Sequence, residues 1–240
     1  MALLSVNVNK IALLRNSRGA DFPNVLKVSQ DLVGLGAHGI TIHPRPDERH
    51  IKYSDAYELK KALNVELNIE GYPTESFLEM VCEVKPAQCT LVPDPPEALT
   101  SNAGWDCKKN MKFLQDVCQR LKSAGVRVSI FLNPDPEQVP YAADTGTDRI
   151  ELYTEGYASS YGTEDQESEF SMYKTTADAA VAAGLGVNAG HDLNQENLAY
   201  FAGNIPELLE VSIGHALVVE MLYQGMPTTV INYLNILKNC

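Results

Sequence analysis

Short apolar runs alternate with longer segments of helical periodicity along the whole chain. Runs of four to eight residues rich in Val, Ile and Leu predict β-strands that are buried on both faces. Eight such runs occur in the order LLSVNV, GITIH, VELNIE, CTLVP, VRVSIFL, RIELYT, LGVNAGH and LEVSIGH. The pattern therefore predicts a sheet of eight strands.

Segments whose apolar residues recur every three to four positions lie between these runs and predict helices. They are NVLKVSQDLVGLGA, SDAYELKKALN, TESFLEMVCEVK, KKNMKFLQDVCQRLKSAG, EQVPYAADTG, QESEFSMYKTTADAAVAAG, QENLAYFAGN and ALVVEMLYQGMPTTVINYLNILKN. Several reach a glycine suited to a helix C-terminus, namely Gly36, Gly125, Gly146 and Gly184. Eight βα units in 240 residues fit an α/β fold of the (β/α)8 TIM-barrel type.

A doubly wound open sheet is the alternative fold. It usually has fewer strands, and a nucleotide-binding version needs a glycine-rich turn after its first strand. Here LLSVNVNK is followed by IALLRNSRG, which contains no GxGxxG motif. Because no break in composition marks a second domain, we expect a single barrel domain over residues 1–240. The proline-rich segment VPDPPEALTSNAGWD follows the fourth strand and is expected to be a functional loop.

The charge of the chain limits its partners. A formal net charge of −12 repels polyanions, which argues against a nucleic-acid-binding or anionic-membrane surface. An anionic ligand must therefore be small and held locally. The five cysteines are an odd number without CxxC spacing, and no signal peptide or long apolar run precedes them. We expect free thiols in a cytoplasmic protein.

Polar residues fall where the predicted strands end, which in a barrel is the rim that carries the reactive groups. They are Asn7 and Asn9 on the first strand, His43 on the second, Glu70 on the third, Glu151 on the sixth, His191 on the seventh, and Gly214 with His215 on the eighth. Three histidines at three strand ends favour a functional interpretation over a structural one. His38, in the turn GAHG at the opposite rim, is interpreted as structural.

The segment ITIHPRPDERH contains the end of the second strand and the loop after it. The backbone of this loop is restricted at its charged residues. Pro44 and Pro46 bias the preceding residues, His43 and Arg45, toward extended backbone. A metal site is an alternative interpretation, because histidines and carboxylates are also metal ligands. The chain has no HxH or HExxH spacing, and arginines share the loop, so a bound cation is disfavoured.

Glu70 and Glu151 each belong to an apolar strand segment. Burial of a carboxyl group raises its pKa toward values useful in general acid–base catalysis. Either residue alone could simply cap a strand. Two carboxyl groups that face several histidines, however, indicate repeated proton transfers.

Phosphate is the anion that best fits the remaining groups. SIGHAL places Gly214 and His215 where the eighth strand turns into a helix, whose N-terminal N–H groups attract phosphate, and NAGHDL offers a similar turn. A second anion site is predicted from Arg45, His50 and Thr100. Two anion sites indicate two phosphorylated substrate ends.

Seven segments of the chain resemble the pyridoxine 5'-phosphate synthase family in order, in spacing and over nearly the whole length. They are SVNVNKIALLRNSRG, GITIHPRPDERHI, LNIE, LVPDPPEALTSNAGWD, IELYT, VNAGHDL and LEVSIGHA. The resemblance implies a (β/α)8 barrel with additional helices that assembles as a cytoplasmic homo-octamer. It implies a transferase of vitamin B6 biosynthesis that condenses 1-deoxy-D-xylulose 5-phosphate with 3-amino-2-oxopropyl phosphate, releasing phosphate and water, without a cofactor or metal.

The resemblance also assigns roles to residues. It implies that His43 is a general base, Glu70 a second base and His191 a general acid, and that Glu151 stabilises a charged transition state. The implied contacts of the aminoketone phosphate are Asn7, Arg18, Asp192, Gly214 and His215. The implied contacts of the deoxyxylulose phosphate are Arg45, His50 and Thr100.

Two positions depart from the family pattern. Asn9 and Lys10 stand where many members have an Asp-His pair that contacts the sugar phosphate, and we expect Lys10 to supply a compensating charge. Asp192 stands where many members have glycine. A contact through its backbone N–H survives that change, while its carboxylate must point away from phosphate.

Two other functions are alternatives. The first alternative is another phosphate-binding barrel enzyme, such as a sugar-phosphate isomerase or a Schiff-base aldolase. A Schiff-base aldolase needs a lysine at a strand end, and among the predicted strand ends only Lys10 is available. A binding or regulatory barrel is the other. The combination of His43, Glu70 and His191 counts against it, because ligand binding alone does not require three titratable groups.

Overall fold

The protein is a closed barrel of eight parallel strands, and a computed structural model describes its residues 1–94, 103–205 and 207–240. Each strand pairs with the next along the chain, and the last pairs with the first. The strands are β1 Leu3–Asn7, β2 Gly39–Ile42, β3 Glu66–Gly71, β4 Gln88–Leu91, β5 Arg127–Leu132, β6 Arg149–Tyr153, β7 Gly186–His191 and β8 Leu208–Ile213. The predicted (β/α)8 TIM barrel is confirmed.

Helices connect the strands on the outside of the barrel. They are α1 Asn9–Asn16, α2 Val25–Gly34, α3 Tyr53–Ala62, α4 Glu75–Val84, α5 Met111–Ser123, α6 Val139–Asp144, α7 Glu155–Ser160, α8 Gln166–Ala182, α9 Leu198–Asn204, α10 His215–Gln224 and α11 Met226–Lys238. A single 3₁₀ turn, Pro136–Gln138, precedes α6. The additional helices expected from the family resemblance are present, because two connections carry a short extra helix, α1 or α7, and α10 is followed by α11.

The predicted elements agree with the observed ones except at three places. The sequence pattern did not predict α1 or α7, and it treated α10 and α11 as one segment. The break between these two lies at Gly225, whose φ of 78° lies in the left-handed region that ends a helix. Asn9, predicted to end the first strand, is instead the first residue of α1. The four predicted C-terminal glycines are confirmed, with φ values of 79–109°.

Strand side chains alternate between two environments. In β1 the apolar residues Leu4 and Val6 belong to the hydrophobic core between strands and helices, while Ser5 belongs to a polar set. Ser5 Oγ lies 2.7 Å from Thr41 Oγ1, and Thr90 Oγ1 donates to Asn68 Oδ1 at 3.1 Å. The barrel interior therefore contains hydrogen-bonded polar side chains, and Thr90 also donates to Glu151.

Candidate active site

The carboxyl ends of β1, β2 and β3 bring three predicted site residues into contact. Asn7 Nδ2 donates to Glu70 Oε2 at 3.4 Å, and His43 Nδ1 lies 3.9 Å from the same oxygen. Glu70 lies inside β3, one residue before its end. Side-chain exposure is only 8% for His43 and 4% for Glu70, so this is a buried cluster rather than a solvated rim.

Asn9 supports His43 through the backbone. Its Oδ1 accepts a hydrogen bond from the His43 backbone N–H at 2.9 Å, and its own N–H donates to Asn7 Oδ1 at 3.0 Å. The first turn of α1 is thus joined to the end of β2. An amide at position 9 can therefore fix the position of the His43 backbone.

The pKa values of His43 and Glu70 move in opposite directions. Burial lowers the pKa of His43 well below its usual value, and the positive charge of Arg45 lowers it further. Burial raises the pKa of Glu70 well above its usual value, and Glu151 raises it further. The free site therefore favours a neutral imidazole beside a neutral carboxyl group over an ion pair.

Glu151 is the second buried carboxyl group of the cluster. Burial and the nearby Glu210 raise its pKa to about 8, while the hydrogen bond donated by Thr90 Oγ1 at 3.2 Å opposes the rise. Thr90 also bonds Asn68, so the polar lining of the barrel fixes this carboxyl group. A group with this pKa can both give and take a proton near neutral pH.

Gly190 leaves the space that the Glu151 side chain occupies. The sequence pattern did not predict Gly190 as a residue of the site. A Cβ atom at Gly190 would lie 2.4 Å from Glu151 Oε1 and 3.2 Å from the backbone oxygen of Ser212. A glycine inside a strand pattern is a sequence signal of such close approach. The partner, however, comes from another strand and could be found only in the structure.

His191 is held in a strained backbone conformation at the end of β7. Its φ is 89°, and its ring packs against Phe131 and Tyr153 at centroid distances of 4.9 Å and 5.5 Å. Nδ1 is buried and has no hydrogen-bond partner among the described residues. Burial lowers the pKa of His191 to about 4. A buried polar atom without a partner is costly, and such atoms occur at ligand sites.

Arg45 and His50, two residues of the predicted second anion site, lie beside His43. Arg45 Nη2 is 3.1 Å from Asp94 Oδ2, and both side chains are at most 4% exposed. The His50 ring meets that of His43 edge-on, with centroids 6.3 Å apart. Burial, followed by the charge of Arg45, lowers the pKa of His50 to about 4. Asp94 was not predicted as a site residue, and Thr100 lies outside the described residues.

Two residues predicted for the first anion site, Gly214 and His215, lie where β8 leads into α10. Gly214 immediately precedes the helix and His215 begins it. A Cβ atom at Gly214 would lie 3.0 Å from Asn7 Cβ, so the glycine allows β1 and β8 to approach here. Burial and Glu155 raise the pKa of Asp192, whereas His215 lowers it.

The remaining predicted residues lie at the edge of this cluster or away from it. Lys10 is half-buried in the first turn of α1, and Arg18 is exposed in the turn after that helix. His38 has the predicted structural role, because its Nδ1 accepts a hydrogen bond from the Leu4 backbone N–H at 3.2 Å. Within residues 1–94, 103–205 and 207–240, no three His, Cys, Asp or Glu side chains are grouped to hold a metal ion.

No helix in the described part of the chain is both long and apolar enough to cross a membrane.

The structure is a (β/α)8 barrel with a buried cluster of titratable side chains at the carboxyl ends of its strands. The model of one family, the pyridoxal phosphate biosynthesis protein PdxJ, matches residues 4–239. The chain belongs to this family and is an enzyme of vitamin B6 biosynthesis.

Relatives of high identity cover the chain almost completely. A pyridoxine 5'-phosphate synthase of Parabacteroides distasonis is 55% identical over 97% of this chain and 98% of its own length. One of Bacteroides thetaiotaomicron is 52% identical over 99% of this chain and 100% of its own. The phosphoribosyl anthranilate isomerase of Thermotoga maritima has a similar fold, with a TM-score of 0.63 at 13% identity and complete coverage of both chains. That structural similarity concerns the barrel alone.

Proposed function

We propose that the protein is a pyridoxine 5'-phosphate synthase. It condenses 1-deoxy-D-xylulose 5-phosphate with 3-amino-2-oxopropyl phosphate to pyridoxine 5'-phosphate, phosphate and water. The observation that carries the proposal is the contact of His43 and Glu70 in a buried cluster with Asn7, close to Glu151. The names and near-complete coverage of the relatives support it.

The reaction requires several proton transfers. The amine of one substrate attacks the ketone of the other, one phosphate leaves, and two water molecules are lost before the pyridine ring is aromatic. Each step moves protons while charge develops on nitrogen and oxygen, and general acid–base groups of tuned pKa accelerate such steps.

The cluster offers a group for each proton role. Neutral His43 accepts the first proton as a general base. Glu70 acts as the second base once it has given up its own proton, and its raised pKa makes the return of that proton favourable. Glu151 stabilises positive charge on the condensing nitrogen when it is ionised.

His191 serves as general acid after substrate binding. Its lowered pKa means that it is neutral in the free site. A nearby phosphate dianion favours the imidazolium form and so supplies the proton that a leaving group needs. The aromatic side chains of Phe131 and Tyr153 fix the ring in place for this transfer.

Two groups of residues bind the two phosphorylated substrates. The aminoketone phosphate contacts Asn7, Arg18, Asp192, Gly214 and His215, at the N-terminus of α10. The deoxyxylulose phosphate contacts Arg45, His50 and Thr100, together with Asn9 and Lys10. The raised pKa of Asp192 reduces the repulsion that its carboxyl group would exert on phosphate.

The wider properties implied by the family are part of the same proposal. They are a single barrel domain over residues 1–240, assembly as a homo-octamer in the cytoplasm, and turnover without a cofactor or metal. Sedimentation of the purified protein tests the octamer directly, because a barrel monomer would sediment far more slowly.

Turnover with defined substrates tests the proposed function. The purified protein is supplied with both phosphorylated substrates, and pyridoxine 5'-phosphate fluorescence and released phosphate are followed together. Equal amounts of both products are expected, and none when either substrate is omitted. Folded protein that yields neither product would contradict the proposal and favour a binding barrel.

A further inference from the structure

The loop after β2 is held by the last residue of α1. Asn16 Nδ2 donates to three successive carbonyl oxygens, of Glu48 at 3.3 Å, Arg49 at 3.1 Å and His50 at 2.8 Å. An amide group has two N–H donors, so the three carbonyl oxygens share them. Because all three carbonyl oxygens bind the same nitrogen, the conformation of the backbone from Glu48 to His50 is fixed.

Arg15 adds a second hold on the same loop. Its guanidinium donates to the His50 carbonyl oxygen at 3.0 Å and binds Asp55 through two hydrogen bonds, at 2.7 Å and 2.9 Å. The charged ends are buried, with side-chain exposures of 6% for Arg15 and 9% for Asp55. Asp55 also accepts from the Lys52 backbone N–H at 2.7 Å, which caps the start of α3, so Arg15 joins the loop to a fixed point of that helix.

The loop would not keep this shape by backbone preference alone. Glu48 has a φ of 50°, which is unfavourable for a residue other than glycine. Its carboxylate accepts from the Tyr53 backbone N–H at 2.7 Å. Such a conformation persists only where the surrounding contacts determine it. Asn16 contacts the carbonyl oxygen of Glu48 itself, and both Arg15 and Asn16 contact that of His50, two residues later.

The contacts of Arg15 and Asn16 fix the backbone that carries the His50 side chain. Its Nδ1 accepts a hydrogen bond from the Ile51 backbone N–H at 2.9 Å. In a neutral imidazole the acceptor nitrogen carries no proton, so the proton lies on Nε2. His50 therefore offers one N–H donor, and the direction of that donor depends on the backbone at residues 48–50.

We infer that Arg15 and Asn16 are positioning residues that hold the loop after β2 so that the Nε2–H of His50 meets the phosphate of the deoxyxylulose substrate. The inference rests on the proposed function, which places that phosphate at Arg45 and His50. Neither Arg15 nor Asn16 touches the substrate. Both act through the carbonyl oxygens of the loop.

Kinetic constants of Asn16→Ala test the inference, with Asn204→Ala as the matched control. Asn204 Nδ2 also donates to a carbonyl oxygen, that of Tyr200 at 2.8 Å, but at the end of α9 on the opposite rim. Asn16→Ala is expected to raise the KM for deoxyxylulose phosphate about tenfold while kcat falls less than about threefold, as for loss of one oriented hydrogen bond. Asn204→Ala is expected to change neither constant. A lowered Tm with unchanged KM in Asn16→Ala would show a purely structural role and overturn the inference.

A double variant separates action through His50 from a general disturbance of the site. If Asn16 acts through His50, the KM of Asn16→Ala/His50→Ala should equal that of His50→Ala alone. The inference would be overturned if the KM of the double variant rose by the product of the factors measured for the two single variants.

Binding without turnover keeps this test independent of the proposed reaction. Inorganic phosphate should shift the His50 imidazole nitrogen resonances of the wild-type protein, and it should shift them less in Asn16→Ala at the same concentration. Equal shifts in both proteins, or no shift in the wild type, would overturn the inference whether or not the protein forms pyridoxine 5'-phosphate.

Discussion

His43 Nδ1 lies 3.9 Å from Glu70 Oε2, with both side chains buried at the carboxyl ends of neighbouring strands. The two residues are 27 positions apart in the chain, and the pairing of β2 with β3 brings them together. Burial favours the neutral form of both side chains, because it lowers the pKa of the imidazole and raises the pKa of the carboxyl group. The pair is therefore neutral, with the proton on the carboxyl group and the imidazole able to accept a proton from a substrate.

The buried carboxyl groups should make the protein less stable as the pH rises above neutrality. Burial raises the pKa of Glu151 to about 8 and that of Glu210 to about 7, from 4.5 in both cases. Between the unfolded and folded pKa values the folded state holds more protons, so the free energy of unfolding falls with rising pH. From pH 6.5 to 8, Glu151 alone should remove about 2 kcal/mol.

The buried histidines oppose this trend at lower pH. Burial lowers the pKa of His50 and of His191 from 6.5 to about 4, so between these values the unfolded state binds more protons and stability rises with pH. We therefore expect a nearly flat free energy of unfolding between about pH 5 and 6.5 and a fall above it. Denaturant titrations across this range measure it. In Glu151→Gln the fall should be smaller, and an unchanged fall would contradict the assigned carboxyl group.

Gly190→Ala should remove activity by displacing Glu151. The added methyl group would lie 2.4 Å from Glu151 Oε1, and the backbone oxygen of Ser212 at 3.2 Å leaves little room for adjustment. We expect turnover to fall at least about a hundredfold and the variant to unfold at lower temperature.

Gly203→Ala is the matched control for this substitution. Gly203 lies in α9, where a Cβ atom would meet nothing closer than Cys240 Cβ at 4.0 Å. Alanine should raise the free energy of unfolding there by about 0.5–1 kcal/mol without affecting turnover. Full activity in Gly190→Ala would show that the position of Glu151 does not matter.

The backbone strain at His191 should appear as a difference between two small substitutions. At a φ of 89°, alanine is strained and glycine is not. His191→Gly should therefore be more stable than His191→Ala by about 1 kcal/mol, even though glycine is more flexible when unfolded. Both should lose turnover. Thermal unfolding of the pair provides the measurement, and a less stable glycine variant would show that the strain has been relieved by other contacts.

Lys10→Ala should act mainly on the deoxyxylulose substrate. If Lys10 compensates for the imidazole of the family pattern, its loss should raise the KM for this substrate several-fold, since a partly exposed charge contributes about 1 kcal/mol or less. The KM for the aminoketone should remain the same. Lys61→Ala, in the last turn of α3, is the control. An unchanged KM in Lys10→Ala would assign that lysine a role outside substrate binding.

The strands and most of the candidate site could be predicted from the sequence for a physical reason. Parallel strands buried on both faces give continuous apolar runs, and polar residues at the ends of such runs must share one rim of a barrel. His43 and Glu70 were found in this way. The helix α1 was not, because its apolar residues Ile11 to Leu14 are consecutive and its start has no side-chain cap.

Supporting contacts could not be predicted, because each depends on a partner from elsewhere in the chain. Asp94 reaches Arg45, and Gly190 leaves space for Glu151. Asn9 was predicted to end the first strand, and its hydrogen bond from the His43 backbone N–H is one that no spacing rule predicts. The pairing register of the strands and the burial of these side chains determine which residues come into contact.

A single-turnover comparison of the wild type with Glu70→Gln tests the central claim most directly. Each protein, in excess over 3-amino-2-oxopropyl phosphate, is mixed with that substrate and with saturating 1-deoxy-D-xylulose 5-phosphate, and formation of pyridoxine 5'-phosphate is followed by fluorescence. Glutamine keeps the shape of the side chain and can still accept from Asn7, but it cannot take up a proton. We expect the rate constant of product formation to fall at least about a hundredfold while substrate binding persists. The same rate constant in both proteins would contradict a proton-transfer role for Glu70 and its pair with His43.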